Sequence, residues 1–277
     1  MTAITFRGMR AELIDAVSNR NALYGRLMKK GNVQTQTGHE IAIAIDYPGT
    51  TTTSRVSGME PFSIAETDDF TNAEYPWRKI ITAIALSGSK IRQNSGKSAI
   101  LDYVKSKVKH AMREHANVLS QDFYSDGVTY SNQIGGLQLL VAASANTVGG
   151  ISGSTYSWWM NAVQSAAAPL DGGAALTVGA TTFGRFLSGG FEAVKFGTEE
   201  PDLVVLAKDY WSYFEQSQAA LVRYSGQDVA GGFTSLKYRK ADVISDSTAS
   251  GTPTTVGYGL NTDFISVVTL PGANMET

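Results

Sequence analysis

Apolar residues recur along this chain at two different periods, and the changes between them mark its elements. Leu13, Ile14, Val17, Leu23, Tyr24 and Leu27 follow the helical period, and Gly31-Asn32 supplies a stop. Over residues 39–47 the period falls to two: Ile41, Ile43 and Ile45 alternate with Glu40, Ala42, Ala44 and Asp46, and Pro48-Gly49 ends the strand with turn chemistry. A second strand is predicted over 75–86. Between the two lies a connection of about 25 residues rich in Thr, Ser, Gly and acids, longer than compact domains usually tolerate without a function. Val56, Met59, Phe62, Ile64 and Phe70 are scattered through it, and such residues need a partner surface.

The longest pattern follows. Ile100, Leu101, Val104, Val108, Ala111, Met112, His115, Val118, Leu119 and Phe123 form one stripe at steps of three and four. This predicts a helix starting near Ser95 or Gly96 and ending before Gly127, about 40 Å long at 1.5 Å per residue. Beyond Gly127 the pattern breaks into short apolar runs and Gly-rich turns. Helices are predicted over 158–167, 181–194 and 210–220, with a buried strand at 203–206. Further strands are predicted at 236–238, 241–244, 256–258 and 264–270.

Composition narrows the class. The 277 residues are 43% hydrophobic, enough for a sizeable core, and contain no apolar run long enough to span a bilayer. No signal-peptide pattern opens the chain, which predicts a protein that stays in the cytoplasm where it is made. Cysteine is absent, so disulfides and thiolate zinc sites are excluded. The net charge of -2 argues against a dedicated nucleic-acid binder. It hides local segregation, however. Residues 1–30 hold six Lys/Arg and two acids, 60–74 hold five acids and no base, and 90–114 hold seven bases and two acids. One such block is ordinarily a solvated face; opposite blocks on projecting elements also suit a partner surface.

Catalytic patterns fail one by one. Ser95-Gly96-Lys97-Ser98 resembles the end of a phosphate loop, but the required earlier glycine is Ile91. Gly150-Ile151-Ser152-Gly153-Ser154 approaches a nucleophile elbow with its closing glycine one position early. His110 and His115 sit five apart, about 140° around a helix, and cannot share a metal, while His39 lies on the hairpin. Asp68-Asp69 and Glu199-Glu200 are adjacent pairs that diverge on any regular element, and Trp158-Trp159 reads as core at the start of a helix. The sequence therefore assigns no catalytic, cofactor or metal residues.

The stretch GLQLLVAASANTVGGISGSTYSWWMN (136–161) resembles the major capsid proteins of tailed bacteriophages, which carry a similar progression after their long helix. YSDG (124–127), PDLVVL with its following aromatic helix (201–214) and GLNTDFISV (259–267) agree in order, so the resemblance runs along nearly the whole chain. It implies an α+β Hong Kong 97-type fold and the following division of the chain. Residues 1–35 would be the N-terminal arm and 36–93 the extended β-hairpin loop. Residues 94–135 and 246–277 would form the peripheral domain with its spine helix, and 136–245 the axial domain. Two departures stand out: Met160 occupies a position where the family often has arginine, and the family usually continues with a further strand where this chain stops.

The resemblance further implies a virion structural protein without cofactors, self-assembling in the host cytoplasm. Pentamers and hexamers would close an icosahedral shell around DNA held non-specifically on the inner face. Scaffold, portal and decoration proteins are the expected accessory partners, and no membrane is. A fused scaffolding segment is not expected before Met1. Nor is a lysine-to-asparagine weld between subunits, because 31–78 hold no lysine and the guanidinium of Arg55 or Arg78 cannot replace it. Two other readings remain open: an encapsulin-like nanocompartment enclosing an enzyme cargo, and an ordinary enzyme or binding domain. In the implied fold the loop lies across a neighbouring subunit, which singles out Glu66, Asp68 and Asp69 on the loop and Lys105 and Lys109 on the helix as contact candidates.

Overall fold

A computed structural model describes residues 21–47, 55–61, 69–93, 97–218, 235–246 and 256–272. The fold mixes helix and sheet. In chain order the helices are α1 (Ala22–Lys30), α2 (Gly88–Gln93), α3 (Lys97–Asp122), α4 (Leu137–Leu140), α5 (Phe183–Val194) and α6 (Lys208–Gln218). The strands are β1 (Val33–Thr35), β2 (Glu40–Asp46), β3 (Phe70–Pro76), β4 (Thr147–Val148), β5 (Ile151–Ser152), β6 (Leu203–Leu206), β7 (Ser235–Tyr238), β8 (Ala241–Ser245), β9 (Gly257–Leu260) and β10 (Val267–Thr269). Two compact units result: Gly38–Trp77 with Ala142–Asn161 form one, and the rest of the chain forms the other.

The larger unit is built on a four-stranded sheet in the order β7-β8-β6-β9, with β6 parallel to β8 and antiparallel to β9. Covered on both faces, β6 is the continuous apolar run LVVL, every residue buried. Leu203 and Val205 face a cluster with Leu23, Leu27, Tyr124 and Ile244, while Val204 and Leu206 face one with Phe183, Phe186, Phe191 and Phe214. α1 begins at Asn21, whose side chain accepts the Tyr24 N–H, and ends at Gly31 in the left-handed conformation (φ 75°). The periodic residues predicted N-terminal to it lie outside the described residues. α3 matches the predicted long helix, with Ala116 and Ser120 buried on one side.

In the smaller unit β2 and β3 form an antiparallel hairpin with Ile41 opposite Tyr75 and Asp46 opposite Phe70. β4 and β5 form a tight hairpin whose Gly149-Gly150 turn has positive φ at both residues (59° and 79°), as a type I′ turn requires.

Several sequence expectations are corrected. The second hairpin strand is 70–76, not 75–86, because β2 pairs there and Pro76 has no N–H with which to extend a ladder. Residues 77–87 belong to no helix or strand. The predicted helix at 158–167 shrinks to a 3-10 turn, Ser157–Trp159. Its aromatics are held sideways instead, the Trp159 indole N–H donating to the Val148 carbonyl and Trp158 stacking on Tyr47 at 4.9 Å and 4°. Both tryptophans are half-buried rather than core. Of the strand expected at 264–270 only Val267–Thr269 forms, pairing in parallel with β1.

Candidate assembly surface

The charged residues divide into those the fold uses internally and those it leaves outward. An internal network anchors α1 to the sheet. Arg26 bridges Asp242 at 3.0 Å and Asp202 at 3.5 Å, and Lys30 bridges Asp202 at 2.6 Å and Asp263 at 2.7 Å. Thr262 adds two donors to Asp202, from its N–H at 2.7 Å and its hydroxyl at 2.6 Å. Burial pushes the Asp202 carboxyl up, but the hydrogen bonds from Lys30 and Thr262 outweigh it and hold the group below the usual carboxylate range. At the end of α3 the buried Tyr124 hydroxyl donates to Asp246 at 2.6 Å. Burial, reinforced by that carboxylate, lifts the phenol well above its ordinary value. The network joins residues more than 170 positions apart and escapes a sequence reading. Its one signal is the presence of acids beside buried strand runs, Asp202 before LVVL and Asp242 within ADVIS.

α3 presents the opposite situation. Lys105, Lys109 and Arg113 recur at steps of four along one exposed stripe. No ion pair among the described residues involves them or Lys107, whereas Arg26, Lys30, Arg185, Lys195 and Arg239 are all paired. Of their predicted counterparts, Glu66 and Asp68 lie outside the described residues. Asp69 sits half-buried at the hairpin end, its carbonyl accepting the Tyr47 N–H at 3.1 Å. No ion pair among the described residues joins Asp69 to Lys105 or Lys109.

Apolar residues are exposed in both units. Phe70 is 74% exposed, Met59 and Val56 stand outward on the connection, and Ile43 is exposed on β2. In the larger unit the whole of 81–90 is exposed, with Ile81 at 83% and Ile84 and Leu86 beside it in sequence. One side-chain bond ties this stretch inward, between Thr82 Oγ1 and His115 Nδ1 at 3.0 Å. Burial lowers the pKa of His115. This exposure runs against the sequence pattern, because a β-branched run ordinarily forms a paired strand.

The catalytic look-alikes find no catalytic setting. Gly150 to Ser154 belong to the β4–β5 hairpin, where the Ser152 and Ser154 hydroxyls bond each other at 2.8 Å. His39 and His110 are exposed. Glu199 accepts from Asn261 and Glu200 pairs with Lys195. Ser95-Gly96 lie outside the described residues. Among the described residues no cluster has the makings of a metal site, and no helix is long and apolar enough to cross a membrane.

No protein-family model and no curated protein matches the chain. Among solved structures, it is similar to a chain of the cyanophage A-1(L) capsid asymmetric unit, with a TM-score of 0.56 and 18% identity over 89% of this chain and 72% of that one. At that identity the likeness establishes a shared fold: this mixed helix-and-sheet chain is built like a chain of a cyanophage capsid.

Proposed function

We propose that this protein is the shell-building major capsid protein of a tailed bacteriophage, with the Hong Kong 97 fold. The observation that carries the reading is the fold likeness to a chain of a phage capsid over 89% of the length. Exposed apolar residues on the hairpin and on 81–90 support it, because large apolar side chains left in water call for a partner surface. On this reading 1–35 is the arm, 36–93 the extended loop, 94–135 with 246–277 the peripheral domain, and 136–245 the axial domain. The subunit works by binding its own kind in pentamers and hexamers that enclose DNA in the virion, with scaffold, portal and decoration proteins as accessory partners. It is not an enzyme. A viral shell is preferred to a nanocompartment because the structural neighbour is viral. Sedimentation of the expressed protein tests the reading: species far heavier than a monomer are expected, and a monomer at every concentration contradicts it.

Glu66, Asp68 and Asp69 are proposed to face Lys105 and Lys109 of a neighbour. Each exposed pair contributes only about 0–1 kcal/mol, so no single pair decides assembly, yet several repeated at every loop set registration and association rate. Asp68→Lys with Asp69→Lys is therefore expected to slow assembly followed by light scattering at low salt. Adding Lys105→Glu with Lys109→Glu in the same chain should partly restore it. Equal rates for wild type and the first double variant would remove these residues from the interface.

A further inference from the structure

Two phenylalanines of the larger unit stand in water on firmly held turns: Phe196 is 85% exposed and Phe264 78%. The first turn is closed from both sides, the Phe196 N–H donating to the Glu199 carbonyl at 3.1 Å and the Glu199 N–H to the Phe196 carbonyl at 2.9 Å. Gly197 supplies the left-handed conformation (φ 60°), and Lys195 bridges Glu200 at 2.9 Å across its base. In the second turn the Phe264 N–H donates to the Asn261 carbonyl at 3.3 Å, while buried Thr262 is fixed to Asp202. The Asn261 side-chain amide donates to the Glu199 carboxylate at 3.0 Å and bolts the two turns together. They lie at one end of the sheet, where β6 begins and β9 ends. From so exposed a position neither ring does much for the fold, whereas an aromatic anchor already held in place loses little entropy on binding.

The rim of these turns carries an excess of acid. Glu199 forms no ion pair among the described residues, and Arg26 and Lys30 are shared among Asp202, Asp242 and Asp263. The same unit bears a surface of the opposite make-up over 79–92, where Ile81, Ile84 and Leu86 are exposed between exposed Lys79, Lys90 and Arg92. No acid occurs there from 79 to 101. We infer that the paired Phe196 and Phe264 turns of one copy seat on the 79–92 strip of a second copy. This contact rests on the shell-subunit reading and deepens it, by naming a body-to-body surface. Burial of the two rings against the isoleucines and Leu86 supplies the attraction, and the bases select the acidic rim. Pairing of the turns with themselves would set acid against acid, so the contact joins different surfaces. It is therefore head-to-tail and closes into rings where the rotation permits.

The absence of cysteine makes the test clean, since an introduced thiol is the only one in its chain. Thr198→Cys and Ala83→Cys, both at exposed positions that spare the apolar anchors, are mixed and treated with a short bismaleimide. Mixing restricts a 198–83 crosslink to bonds between copies. A heterodimer band several-fold above that from Thr198→Cys mixed with Lys109→Cys is expected. In parallel, Phe196→Ala with Phe264→Ala should raise the concentration needed for association, read by light scattering, about tenfold or more. The urea midpoint of its dissociated subunits should stay that of the parent. Association unchanged in this variant, or a 198–109 band as strong as the 198–83 band, overturns the inference. Particles that form without a 198–83 band overturn it and leave the shell reading standing. A 198–83 band between subunits that never close into particles upholds the contact and counts against the shell reading.

Discussion

Replacing Phe183 with alanine is expected to destabilise the larger unit by about 3–5 kcal/mol, the usual cost of emptying a buried phenylalanine site. Phe183 is 1% exposed at the start of α5. Its ring lies 5.6 Å from Tyr210, 6.1 Å from Phe186 and 6.2 Å from Phe214, tilted or edge-on to each. The substitution leaves a hole among three aromatic rings that are themselves locked by β6 and α6, so the site has little freedom to collapse. Urea unfolding of dissociated subunits should show a much lower midpoint. Phe264→Ala, at a residue 78% exposed, should stay within about 0.5 kcal/mol of the parent. Similar midpoints for the two variants would mean that the aromatic cluster does not hold the sheet.

Gly136→Ala is expected to be as damaging for a different reason. The chain folds back at the end of α3, where the Gly136 N–H donates to the Ser125 carbonyl at 3.1 Å and the Leu137 N–H donates to the Phe123 carbonyl at 2.8 Å. A Cβ at Gly136 would lie 2.3 Å from the Asp122 carbonyl oxygen and 2.5 Å from the Phe123 carbonyl carbon and oxygen. All three are backbone atoms, so relief requires moving the helix end and, with it, the Tyr124–Asp246 bond. A loss above about 4 kcal/mol, or failure to yield soluble protein, is expected. Gly184→Ala is the matching control, since its added Cβ meets nothing within 4 Å inside α5. It should gain up to about 1 kcal/mol from helix propensity. Thermal melts of the two proteins separate these outcomes, and a Gly136→Ala melt equal to the parent would refute the tight junction.

Elements with a strong local period were legible in the sequence. α3 announces itself through a repeated stripe, β2 through strict alternation of isoleucine, and β6 through an unbroken apolar run. The pattern of the sequence places the second hairpin strand too late because Phe70–Pro76 reads FTNAEYP, with little strand signal of its own. Its conformation comes from pairing with β2, a long-range effect. The neighbouring IITAIAL has the better strand composition and pairs with no strand among the described residues, a reversal that local propensity cannot foresee. Of the candidate interface, the charge blocks were visible because charges sum locally. The Arg26–Asp202–Asp242 network was not, since its members meet only when α1, β6 and β8 assemble. The absence of ion pairs along the α3 stripe among the described residues, against the paired Arg26 and Lys30 of α1, likewise required three dimensions.

Negative-stain microscopy of the expressed protein tests the proposal that this chain builds a closed shell from copies of itself. Uniform, closed, roughly spherical particles are predicted, with rings of five or six subunits where assembly is incomplete. A field of monodisperse particles the size of one subunit, unchanged by concentration or salt, would contradict it.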